Sequence, residues 1–138
     1  MKNRNKIASL IIASGLILVS SQSCQKYPDG PLIDFRPRKE RVANDWRVDN
    51  LKINGSDYTS LVTDYYETFT TDGNYSYNWG ILSGVGTWTF QNNFKEIKIM
   101  DSNSQSTEVL FIQKLEEKQF WYYYMDGNDK KVFHMNQK

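Results

Sequence analysis

The chain has one cysteine, one histidine and three prolines among its 138 residues. With a lone cysteine there is no internal disulfide, so the fold must be held by its core. A lone histidine, His134, removes His-paired metal ligation and the common nucleophile–base pairs, and no second His, Cys or carboxylate pair at metal spacing compensates. Asp45 and Asp49 share one face of a strand but have no recognisable partner chemistry. Gly80, Gly84 and Gly86 stand between strand-like runs with no helix after them, which excludes a phosphate-cradling loop. These absences point away from an enzyme and from any cofactor. A basic stripe is missing as well: from Val42 onward 9 basic residues face 13 acidic ones, a poor match to nucleic acid. No segment shows long helical periodicity.

One apolar run is present. Ile7 to Ser20 is uncharged and includes Leu10, Ile11, Ile12, Leu16, Ile17, Leu18 and Val19, behind the basic residues Lys2, Arg4 and Lys6. It is shorter than the roughly 20 apolar residues that span a bilayer and fits a secretory signal core. Ser21-Gln22-Ser23-Cys24 resembles a relaxed bacterial lipobox, with Ser21 where Leu is usual and Gln22 where a small residue is usual. Residues 1–23 are therefore expected to be a lipoprotein signal peptide, and Cys24 the lipidated first residue of the mature chain. Acyl chains at about 0.8 kcal/mol per buried methylene would hold it on the membrane. Residues 24–41 contain Pro28, Pro31 and Pro37 and are expected to form a flexible tether. Arg36, Arg38, Lys39 and Arg41 cluster within it, solvated or against anionic headgroups.

Residues 42–138 are enough for one domain. At their centre is Val85-Gly86-Thr87-Trp88-Thr89-Phe90, in which Gly86, Trp88 and Phe90 alternate with Val85, Thr87 and Thr89, the mark of a half-buried strand. The theme recurs on both sides. Trp46 to Ile53 changes phase near Asp49-Asn50, which predicts a bulge. Tyr58 to Asp64 reads as a loop or one helical turn covering an end. Tyr65, Glu67 and Phe69 share a side. Tyr75, Tyr77, Trp79 and Ile81 share an inward face, and Ser83-Gly84 is expected to turn the chain. Ile97 and Ile99 oppose Glu96 and Lys98. Thr107 to Leu115 is apolar on both parities, so its outer face is expected to be covered. Phe120 to Met125 and Lys131 to Met135 complete eight strands, separated by turn clusters such as Asn54-Gly55, Asp72-Gly73 and Asp126-Gly127. Eight strands in a meander predict an all-β, eight-stranded antiparallel up-and-down barrel.

A Cys-anchored start, a short tether, Trp46 opening the first strand, Asn54-Gly55, Phe-x-x-Asp-Gly-x-Tyr at Phe69–Tyr75, Gly-x-Trp-x-Phe at Gly86–Phe90 and a terminal aromatic hairpin resemble the lipocalin-like lipoproteins of Bacteroidetes-type bacteria. The resemblance implies a lipid-anchored envelope protein on the outer membrane, acting as a monomer, whose barrel binds or carries a small apolar molecule. Such a barrel is either filled by side chains or holds one small ligand, and 18 aromatic residues between Trp46 and Phe133 leave both open. The candidate cavity lining is Glu67, Phe69, Tyr75, Tyr77, Trp79, Trp88, Phe90, Ile97 and Ile99. The alternative is a non-catalytic surface module that binds glycan or a partner protein through exposed rings such as those of Tyr122-Tyr123-Tyr124. Against it stands cross-strand ring pairing, which stabilises a sheet without binding anything.

Overall fold

The computed structural model describes residues 26–30 and 35–138. The signal segment and Cys24 lie outside the described residues. Strands form at β1 (Asp45–Ile53), β2 (Ser56–Asp57), β3 (Tyr65–Phe69), β4 (Asn74–Trp79), β5 (Leu82–Gln91), β6 (Glu96–Asp101), β7 (Thr107–Leu115), β8 (Gln119–Asp126) and β9 (Asp129–Gln137). The two-residue β2 pairs only with the end of β1. The other eight run up and down in sequence order, each antiparallel to the next, and β1 pairs with β9 to close the barrel. Closure removes the open sheet edges.

Closure requires the first strand to bend. The β1–β9 register shifts between Val48 and Asn50, where the apolar phase of the sequence changes, so Trp46 and Val48 point inward below the bulge and Leu51 above it. A second shift falls between Ile112 and Lys114 in the β7–β8 pairing. It explains the doubly apolar β7: Leu110, Ile112 and Leu115 are buried in the core, while Phe111 faces out and stacks on Tyr123 at 4.8 Å. Within that irregularity the Gln113 carbonyl accepts the Asp29 N–H at 2.8 Å. The neighbouring Tyr27 is buried, and its hydroxyl donates to the Phe94 carbonyl at 3.0 Å. Residues 26–30, expected as part of a spacer, thus lie against the barrel wall.

Farther along the chain, just before β1, there is structure as well. A short helix, α1 (Arg38–Val42), precedes β1 and packs against β7. Trp46 is fully buried and its indole N–H donates to the Val42 carbonyl at 2.9 Å. Arg41, expected among solvated or lipid-facing cations, is instead buried, and its guanidinium donates to Leu115 O at 2.8 Å and to Arg36 O at 3.1 Å. Above the helix Trp46 meets Phe120 at 5.6 Å, and Phe69 meets Phe120 at 5.9 Å and Trp88 at 5.7 Å. Burying each such ring contributes about 2–3 kcal/mol, which concentrates the stability in this half. The β5–β6 turn runs through three left-handed residues, Asn92, Asn93 and Phe94 (φ 47°, 54° and 63°). The strain at Phe94 is offset by its ring packing on Phe90 at 5.2 Å, the Arg38 guanidinium over it at 5.3 Å, and the Tyr27 bond.

Two expectations about β4 and β5 are corrected. The turn is Gly80-Ile81, with Trp79 paired to Leu82, rather than Ser83-Gly84. Ile81 is therefore at a turn tip and 101% exposed instead of inward, because the strand alternation stops where Gly80 takes φ +57°. Gly84 and Gly86 lie inside β5 opposite Tyr77 and Tyr75. A Cβ on Gly84 would overlap the Tyr77 ring, and one on Gly86 would overlap the Met100 carbonyl. Both glycines are therefore used for close approach at a barrel bend.

Candidate functional site

Along the inward face of β5 large side chains at Phe90 and Trp88 give way to none at Gly86 and Gly84. On this side the barrel stops being filled. Opposite the α1 end it opens into a cavity of about 480 Å³, walled mainly by apolar and aromatic side chains from every long strand except β5 and by the 3-10 turn Thr59–Leu61. That turn covers the end of the barrel, as expected from Tyr58 to Asp64, and is tied down by the Trp79 indole N–H, which donates to the Leu61 carbonyl at 3.2 Å. The filled and open alternatives are both realised, one in each half.

Of the nine candidate lining residues, Tyr75, Tyr77, Trp79 and Ile99 line this cavity. Phe69, Trp88 and Ile97 are packed in the closed half, and Phe90 is half-buried there against Trp88 at 5.5 Å. Glu67 lies beneath the cavity, 3% exposed. Its carboxylate accepts three phenol hydrogens: from Tyr65 at 2.8 Å and Tyr75 at 2.9 Å, both to Oε1, and from Tyr122 at 2.9 Å to Oε2. Burial raises the Glu67 carboxyl above its ordinary value, and the three phenols oppose that shift. Burial first, and then the Glu67 charge, hold all three phenols well above their usual range.

Several cavity residues lie outside those nine: Tyr65, Glu108, Tyr124 and Phe133, together with Tyr122, the third partner of Glu67; Tyr122, expected among exposed rings, is instead buried. Tyr65 carried a signal, since it shares a side with Glu67, and an inward carboxylate needs donors. Tyr122 carried none, because three consecutive tyrosines leave parity undecided. Glu108 lines the mouth and is exposed there; desolvation of its carboxyl, and then the Glu67 charge, push it up to about 7. Lys131 on the same wall is held by Asp126 at 2.6 Å.

The outward rings are occupied. Trp121 stacks on His134 at 4.0 Å and carries Lys114 Nζ at 4.4 Å from its ring centre. Tyr123 stacks on Phe111 and carries Lys130 Nζ at 4.2 Å. Each of these rings thus has both a stacked ring and a lysine ammonium close to its centre. His134 is thereby a packed residue.

No protein-family model matches the chain, and no curated protein matches it. Among solved structures it is similar to the NMR structure of a protein from Bacteroides uniformis ATCC 8492, with a TM-score of 0.50 and 23% identity, over 72% of this chain and 90% of that one. The likeness is one of fold.

Proposed function

We propose that the open half of the barrel binds a small, largely apolar molecule, with the filled half as its rigid base. The observation that carries this reading is the aromatic-walled cavity of about 480 Å³, a size and lining typical of small-ligand sites, next to a core in which Trp46, Phe69 and Phe120 are fully buried. The exposed Leu61, Ile81 and Leu82 around the mouth supply an apolar approach. The reading of a surface module using bare aromatic faces is less favoured, because Lys114 and Lys130 cover the rings it would need.

Native mass spectrometry of the protein purified without detergent tests the reading. A removable extra mass, or a bound alkyl compound that changes the fluorescence of Trp79 but leaves a Trp79→Phe variant silent, supports it. A bare chain mass with no Trp79 response to alkyl alcohols, amines or acids overturns it. We propose further that Cys24 is lipidated and holds the barrel at the outer membrane, a reading supported by the basic start, the uncharged run and the lipobox-like Ser21–Cys24. Incorporation of labelled palmitate, abolished by Cys24→Ala, is the expected result.

A further inference from the structure

The floor of the cavity selects the head group of its ligand. Glu67 has no cationic partner among the described residues and is satisfied by phenols alone. An ionised carboxylate only accepts hydrogen bonds, and a phenol has a single proton to donate. Tyr65 and Tyr75 both line the cavity and both commit that proton to Oε1. What remains of their oxygens for a ligand is lone pairs, made more basic by the carboxylate behind them. Tyr65 and Tyr75 thus leave no donor over Glu67, the free hydroxyls of Tyr77 and Tyr124 standing elsewhere on the cavity wall, and Glu67 adds negative potential through a low-dielectric wall. At the mouth, Glu108 adds a second carboxyl, while the lysine on the wall, Lys131, is engaged by Asp126 at 2.6 Å.

We infer, resting on the cavity reading above, that the ligand is an amphiphile with an apolar body and a hydrogen-bond-donating head, an ammonium or a hydroxyl, seated on the Tyr65 and Tyr75 oxygens. Carboxylate and phosphate heads are rejected. They bring only acceptors to two phenol oxygens that offer only lone pairs, and their charge has the sign of Glu67. The rejected head is left without donors where it would sit on these two oxygens, and it loses its hydration on entry.

The test compares three probes with the same tail, 1-dodecylamine, 1-dodecanol and dodecanoate, titrated below micelle formation at pH 8 against the intact protein and followed by Trp79 fluorescence. The amine and the alcohol are expected to bind at least about tenfold more tightly than dodecanoate, the amine gaining further from charge. In Glu67→Gln, which removes the charge and frees phenol protons to point into the cavity, the three affinities should converge. Should that variant not fold, Tyr65→Phe removes one floor acceptor and leaves Glu67 two donors. It should weaken the amine and alcohol several-fold and leave dodecanoate unchanged. Dodecanoate binding as well as or better than the amine overturns the inference and leaves the cavity reading standing. Failure of all three probes to bind overturns both.

Discussion

Replacing Tyr122 by Phe isolates the polar content of the core. The ring stays, with its contacts to Phe120 at 5.0 Å and Phe133 at 5.4 Å, so packing is conserved and only a hydroxyl is lost. That hydroxyl is the partner of Glu67 Oε2, at 2.9 Å. A hydrogen bond to a charged group is worth about 1.5–3 kcal/mol and a neutral one about 1 kcal/mol. The Glu67 carboxyl titrates above its ordinary value in the folded protein, so its ionisation costs stability as pH rises through the folded pKa. Losing a donor to the carboxylate raises that pKa further, and the deficit of the variant must therefore grow with pH. We expect the loss to rise from about 1 kcal/mol at acid pH, where the carboxyl is protonated, to about 2 kcal/mol at alkaline pH, where it is ionised. With urea slopes of about 1–3 kcal/mol/M, the midpoint at the alkaline end should fall by about 1 M. Urea unfolding across the pH range checks this. A cost that stays flat with pH, or falls as pH rises, would refute the account of Glu67 as a buried carboxylate held by three donors.

Glu108, raised to about 7 from an ordinary 4.5 by desolvation and then by Glu67, contributes stability that is lost as pH climbs from 4.5 to 7. Glu108→Gln should flatten the melting temperature over that window and stabilise the protein at pH 8, by about 1 kcal/mol or less after solvent screening at the mouth. Gly86→Ala, which drives a Cβ into the Met100 carbonyl, should cost about 2–3 kcal/mol in thermal melts. Gly84→Ala meets only the movable Tyr77 ring and should cost about 1 kcal/mol. His134, desolvated against Trp121, should titrate below its ordinary 6.5 when followed by proton NMR of its ring.

The strands were legible because their signal is local. Alternation with a period of two shows which side of a strand is buried, and the phase change at Asp49-Asn50 marked the bulge that closes the barrel. The Gly80-Ile81 turn was misplaced because glycine serves two purposes. Gly80 supplies positive φ, whereas Gly84 and Gly86 are needed for close approach within a strand, and a linear sequence does not separate them. The spacer was read from its prolines, and the docking of Tyr27 and Arg41 depends on carbonyls of β7 and the β5–β6 turn that lie far away in sequence.

Sequence alone determined the class of fold and the shared side of Tyr65, Glu67 and Phe69 on their strand. Only the tertiary structure decided that half of the barrel is filled and half open, since that depends on which large side chains face which glycines across the sheet. It also decided what holds Glu67. The donors come from β3, β4 and β8, the last 55 residues away, and closing a barrel brings together side chains whose separation along the chain carries no trace of their meeting.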